Sequence, residues 1–220
     1  AAIIGTAVGA AMTGLRPVVE LMYSDFEYQA GDQIYNQAAK WSYMSGGLIA
    51  VPLVIRSSAG AGKGYGGQHS QSLESHSCHT PGIKVVFPST AYDVKGLLKT
   101  AIRDDNPVMF CESQALYNDT GEVPADDYTI PFGVAVARRE GTDVTLVAWG
   151  KVALDALEAA KVLEAEHKIS AEVIDPRTLI PFDLDTVIRS VQKTGRALVA
   201  SQACRTGSYK VYQSYAELIN

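Results

Sequence analysis

IKVVFPSTAYDVKGLLKTAIRDDNPVMFCE, residues 83 to 112, holds two continuously apolar runs, IKVVFP at 83–88 and PVMFCE at 107–112. Between them AYDVKGLLKTAIR, residues 91–103, carries its apolar positions at helical spacing. A strand with no polar alternation needs cover on both faces, and a helix between two such strands supplies it; the unit predicts a parallel or mostly parallel sheet in an α/β fold. The same alternation extends in both directions. Upstream stand a helix with Ile4, Val8, Ala11 and Met12 on one side and Gly14 as its stop, an extended PVVELM at 17–22, and VPLVIR at 51–56. QAGDQIYNQAAKWSYMSGG reads as one helix closed by Gly46 and Gly47, with Ile34, Ala38 and Trp41 on one side. Downstream come DVTLVAWG at 143–150, a helix at 152–166 striped by Ala153, Leu157, Ala160 and Leu163, SAEVIDP at 170–176, a helix at 184–194 and RALVAS at 196–201.

Ser113 to Gly141 breaks the pattern with Pro, Gly and acidic residues, and reads as a linker or a functional loop. The expected division is therefore 1–125 for a first α/β domain, 126–142 for a linker and 143–220 for a smaller one. With 47% apolar residues over 220 positions, a sizeable core is affordable as one large domain or two small ones. A net charge of -5 without any basic run repels a phosphate backbone, so nucleic acid is not an expected partner. No run of about 18 apolar residues occurs, so no membrane-spanning helix is expected. Cys78, Cys111 and Cys204 are odd in number and far apart, which suggests neither a disulfide framework nor a zinc site and fits a reducing compartment.

GAGKGYGGQHSQSLESH, residues 60–76, looks like a phosphate loop but fails as one, because Lys63 is followed by Gly64 where a magnesium-binding hydroxyl is required. What remains is a glycine-rich loop carrying His69 between Gln68 and Ser70. An imidazole there can donate or accept a proton near pH 7. His76 and His79 sit three apart without a third ligand at suitable spacing. The apolar start at Ala1 and the helical pattern still running in YAELIN suggest the middle of something longer.

Several stretches occur together and in order: GTAVGAA, GLRPVVE, DQIYNQAAKWSYMSGG, VPLVIR, QHSQSLE, TPGIKVVFPST, AIRD, TGEVP, DPRTL and PFD. In this arrangement the chain resembles the β subunits of thiamine-diphosphate-dependent 2-oxoacid dehydrogenases, the E1 components acting on pyruvate, branched-chain acids or acetoin. The resemblance implies a parallel-sheet pyrimidine-binding domain followed by a smaller transketolase C-terminal-like α/β domain, both incomplete. It implies an α2β2 assembly in which an E1 α subunit grips the diphosphate and Mg²⁺ while this chain holds the aminopyrimidine, with a small 2-oxoacid as substrate and an E2 lipoyl acyltransferase as a further partner. The location implied is cytoplasmic for a bacterial chain and the mitochondrial matrix for a eukaryotic one.

On residues, the resemblance makes His69 catalytic, near the thiazolium and the lipoyl acceptor, and gives Met22 and Phe26 to the aminopyrimidine. It assigns K⁺ to main-chain oxygens at Leu53, Ala101, Ile102, Asp104 and Asn106. It also places the glutamate that activates thiamine immediately before Ala1, and a non-catalytic paralogue lacking that glutamate is the competing reading. A synthase with both halves of the site is disfavoured for want of a GDG…N diphosphate motif. The chain departs from the pattern at Glu27, Gly31, His76, Ser201 and Gln202.

Overall fold

The computed structural model describes residues 1–208; the helical pattern of YAELIN lies outside the described residues. The strands are β1 (Val18–Leu21), β2 (Val54–Ala59), β3 (Lys84–Val86), β4 (Val108–Ser113), β5 (Val136–Arg139), β6 (Val144–Ala148), β7 (Ala171–Asp175), β8 (Thr178–Ile180) and β9 (Ala197–Ala200). The helices are α1 (Ala2–Met12), α2 (Glu27–Gly31), α3 (Trp41–Met44), α4 (Glu74–Cys78), α5 (Ala91–Arg103), α6 (Lys151–His167) and α7 (Leu184–Thr194). One sheet runs β1-β2-β4-β3-β8, parallel except for β8, and the other β5-β7-β6-β9, parallel except for β5.

Successive strand side chains point to opposite faces, which explains the unbroken apolar runs. On β4, Val108 and Phe110 join Leu97 and Ala101 of α5, whereas Met109 and Cys111 join Ile4 and Val8 of α1 and Ile34. The second sheet repeats the scheme: Leu146, Ala148 and Val173 meet Ala153, Ala156 and Ala160 of α6, while Val147 and Ile174 meet Val187 of α7. Capping fixes the helix ends. The Thr90 hydroxyl accepts the Asp93 amide at 3.2 Å, and the Asp183 carboxylate accepts that of Thr186 at 3.0 Å.

Three elements differ from the sequence reading. The long helix expected after Gln29 is broken: α2 passes into a π-helical stretch, Asp32–Ala38, and α3 follows separately. The Ala39 amide reaches back five residues to the Ile34 carbonyl at 3.1 Å, a wider turn that leaves both Ile34 and Ala38 in the core. Second, β2 starts later and runs on through Ser57 and Ser58, both buried. Third, the stretch 126–142 is fastened down. Ile130 is buried against α5, Tyr128 stacks on Tyr92 with centroids 4.7 Å apart, and β5 pairs with β7. Gly96 permits that contact, since a Cβ there would come within 2.6 Å of Ile130.

The two sheets are tied by charge. Asp93 at the start of α5 and Asp175 at the end of β7 are fully buried. Arg138 pairs with both, donating to Asp175 at 2.9 and 3.1 Å, and Arg177 donates to Asp93 at 3.2 Å. Ser89 also donates to Asp175. Two acids thus face two guanidinium groups, so the buried charge is balanced. Asp93→Ala would leave both arginines short of a partner and is expected to cost about 3–5 kcal/mol. Urea midpoints check this, against Glu158→Ala on the exposed Lys161 pair, where a change under about 1 kcal/mol is expected.

Candidate functional site

In open parallel sheets the loops after the strands' carboxyl ends form the crevice. Here three neighbouring strands deliver the sequence's candidates to that edge. β1 leads through Met22 and Tyr23 into a 3₁₀ turn, Ser24–Phe26; β2 leads into the glycine loop with His69; β4 leads to Gln114, whose side-chain amide donates to the His69 carbonyl at 3.0 Å. His69 is ringed by aromatic edges. Its centroid lies 4.7 Å from Tyr23 and 5.5 Å from Phe26, the latter at 89°. Tyr65 lies 5.6 Å from Tyr23. Met22 is 60% exposed and Phe26 37%, so the cluster presents apolar faces to the crevice.

The turn and the loop are joined directly. Ser24 donates to the Gln71 carbonyl at 2.9 Å, and the Gln71 amide group donates to Asp25 at 2.8 Å. Beneath Phe26, Glu27 is buried and accepts from Ser57 of β2 at 2.6 Å and from the Tyr35 hydroxyl at 3.0 Å. Burial pushes the Glu27 carboxyl up to about 7; the bonds from Ser57 and Tyr35 pull the other way, and Glu74 and Asp25 add to the rise. Burial likewise raises the Tyr35 hydroxyl and the Glu74 carboxyl. The Trp149 indole approaches Glu74 at 3.4 Å from the second sheet's side. The next residue, Gly150, has φ +56°, and a Cβ there would fall 2.8 Å from the Phe87 ring, so the turn that carries Trp149 needs glycine on both counts.

The other predicted set does not join this cluster. Leu53, Ala101, Ile102, Asp104 and Asn106 lie where β2 and β4 begin, at the opposite end of the strands, about 20 Å away by strand length. The Ile102 and Asp104 carbonyls do converge on a cation, but it is Arg16, whose Nη1 donates to them at 3.2 and 3.0 Å. The Leu53 carbonyl accepts from the Val108 amide at 2.8 Å and the Ala101 carbonyl from that of Asp104 at 3.3 Å. Burial would raise the Asp104 carboxyl, but Lys84 and two bonds from Asn106, each 2.9 Å, outweigh it and hold the group below its ordinary range. His76 meets the Tyr28 ring edge-on at 5.5 Å. Among the described residues no group of three His, Cys, Asp or Glu side chains could hold a metal ion.

Sequence reasoning did not identify Asp25, Gln71, Gln114, Tyr65 or Arg16. Gln71 carried one signal, its place two residues after His69; the others meet their partners only across the fold.

A cluster of aromatic rings around a histidine at the carboxyl edge of a parallel sheet, followed by a second α/β unit, is the arrangement to be matched. The family model described as the transketolase pyrimidine-binding domain matches residues 1–120, and that of the transketolase C-terminal domain matches residues 133–215. The chain belongs to this transketolase-like family. It is 52% identical over 202 residues to the acetoin:2,6-dichlorophenolindophenol oxidoreductase subunit β of Cupriavidus necator, covering 92% of this chain and 60% of the relative. To the pyruvate dehydrogenase E1 component subunit β of Rhizobium meliloti it is also 52% identical, covering 90% of this chain and 43% of the relative. To the 2-oxoisovalerate dehydrogenase subunit β of Bacillus subtilis it is 44% identical, covering 94% and 63%. A solved split-gene transketolase, described as an inactive β4 tetramer, superposes with a TM-score of 0.77 at 27% identity, over 94% of this chain and 64% of that one. The chain thus spans about 60% of the length of most of these relatives.

Asp25→Ala removes the carboxylate that holds Gln71 and should loosen the His69 loop while sparing the core. Hydrogen exchange is expected to show protection at the Gln71 amide falling at least about tenfold, with the amides of β4 unchanged.

Proposed function

We propose that this chain is the greater part of a β subunit of a thiamine-diphosphate-dependent 2-oxoacid dehydrogenase E1 component, acting in the oxidative decarboxylation of pyruvate or a related 2-oxoacid with acyl transfer to lipoyl-lysine. The observation that carries this reading is the placing of Met22, Phe26 and His69 together at one strand edge, with apolar faces open to the crevice. Exposed Met and Phe faces suit a flat heteroaromatic ring, which accepts stacking and edge contacts. Bound thiamine diphosphate would supply a carbanion and an electron sink that side chains lack. Met22 and Phe26 would orient its aminopyrimidine, and His69 would hydrogen-bond the reacting group and move a proton at its imidazole nitrogen. Diphosphate and Mg²⁺ fall to an E1 α partner in an α2β2 assembly, and the lipoyl group to an E2 acyltransferase. Acetoin is the second substrate reading, supported by 52% and 50% identity to acetoin oxidoreductase β subunits of two organisms.

The test is an assembly of the full-length chain with an α partner, supplied with thiamine diphosphate and a panel of pyruvate, branched-chain 2-oxoacids and acetoin. Turnover of one of them is expected, and none would refute the reading. In that assembly His69→Ala should slow single-turnover acyl transfer by about 10²–10⁴-fold. The same change on a half-buried loop should alter stability by less than about 0.5 kcal/mol. Equal transfer rates would remove His69 from the chemistry.

Potassium at the far end of the sheet is proposed on the convergence of the Ile102 and Asp104 carbonyls, each of which keeps a second lone pair beyond the one given to Arg16. Selective binding to the folded state stabilises by mass action. The Tm in K⁺ is therefore expected to exceed that in Na⁺ at matched ionic strength. Coincident values would mean that these carbonyls serve Arg16 alone.

A further inference from the structure

The loop that carries His69 is tied at its neck and loose within. The Gly60 amide donates to the Gln71 carbonyl at 2.9 Å, and Ser24 and Asp25 hold Gln71 from outside. Between those points Gly62, Gly64 and Gly66 all take positive φ, and no helix or strand braces the segment. Inside it, among the described residues, the Gln71 side chain reaches the Gly67 carbonyl at 3.4 Å, and Gln114 Nε2 donates to the His69 carbonyl at 3.0 Å. The shorter bond falls on the residue that bears the imidazole.

Gln114 is mounted on a firm base. β4 is the middle strand of the five-stranded sheet, every residue of it is buried, and Gln114 opens the 3₁₀ turn that follows directly. The residue is 2% exposed. Its amide is satisfied on one side alone: Nε2 serves His69, while Oε1 is buried with no hydrogen-bond partner among the described residues. Reversing the amide would set that oxygen against the His69 carbonyl, so the bond to His69 fixes the orientation that strands it. A buried acceptor without a donor lowers stability, and an apolar side chain of similar shape carries no such penalty. Stability alone therefore does not account for a glutamine at this position.

We propose that Gln114 is a positioning residue for His69: from the middle strand of the sheet it pins the His69 carbonyl, and in doing so leaves its own carbonyl oxygen buried and unpaired. The inference rests on the reading of His69 as the residue that moves a proton. The pinned carbonyl carbon is bonded to the His69 Cα, so a rotation of that peptide swings the imidazole and breaks its edge contacts with Tyr23 and Phe26, at 4.7 and 5.5 Å. Misplacing a reacting group by about 1 Å can cost about 10²-fold in rate. The hold on His69 thus serves the chemistry at some loss of stability.

The experiment uses Gln114→Met in the full-length chain. Methionine keeps length and approximate volume but neither donates to His69 nor strands an oxygen, and the released carbonyl, on a half-buried loop residue, can turn to water. In the ¹⁵N-labelled chain without cofactor, the main-chain order parameter of His69 is expected to fall from about 0.85 to below about 0.6, with those of β4 unchanged. The Tm should equal or exceed the parent's. In the α-partnered assembly, single-turnover acyl transfer should slow by about 10–100-fold, while the Kd for thiamine diphosphate changes by less than about twofold. Gln114→Leu, which also lacks the donor, serves if the methionine variant does not fold. An unchanged order parameter at His69, or a Tm that falls in step with the transfer rate, overturns the proposal. A loosened His69 with unaltered transfer leaves the positioning in place and removes His69 from the chemistry, so the functional reading falls separately.

Discussion

The arrangement depends on two carboxylates and two guanidinium groups that meet out of water. Asp93 belongs to the helix that covers the first sheet, Asp175 ends a strand of the second, and Arg138 bridges them. Either acid alone at 0% exposure would be costly to ionise, as the burial-driven rise at Asp175 shows. Together with Arg177 they are neutral in sum, and removing any one leaves charge stranded. This network fixes where the second α/β unit sits. From that placement β8 reaches across to extend the first sheet, and Trp149 enters the first core and lies beside Glu74.

The site inherits its geometry from that frame. β1, β2 and β4 are neighbours in parallel register, so the segments leaving their carboxyl ends must emerge side by side. Residues 22–26, 65–71 and 114, far apart in the chain, therefore meet at one edge. The same register sends Leu53 and the residues after α5 to the opposite end, where Arg16 gathers the carbonyls. One sheet thus carries an aromatic end around His69 and an opposite end where main-chain carbonyls gather on Arg16.

Electrostatics at the aromatic end is acidic below and open above. Asp25, Glu27 and Glu74 are buried there, and Cys111, pushed up by burial with added rise from both glutamates, stays a thiol. Burial raises the Glu27 and Glu74 carboxyls, so these two hold protons more tightly than exposed carboxylates do.

The sequence by itself determined the alternation of strands and helices, because the apolar runs at 83–88 and 107–112 can only be satisfied between two covering layers. The residues quoted around them carried the family resemblance, and with it His69, Phe26 and Met22 as a set. Tertiary structure alone decided the rest. β5 and β8 are three or four residues long, too short for a periodic signal, and they exist because an edge was available to pair with. The π-helical stretch likewise follows from the demands of the core on Ile34 and Ala38. Glu27 and Ser57, a polar pair in apolar surroundings, look like misplaced residues in one dimension; they are 30 positions apart, and each satisfies the other only once the chain has folded. Local pattern encodes which face of an element is apolar, whereas the partner of a buried polar atom is fixed by long-range geometry that no window of sequence contains.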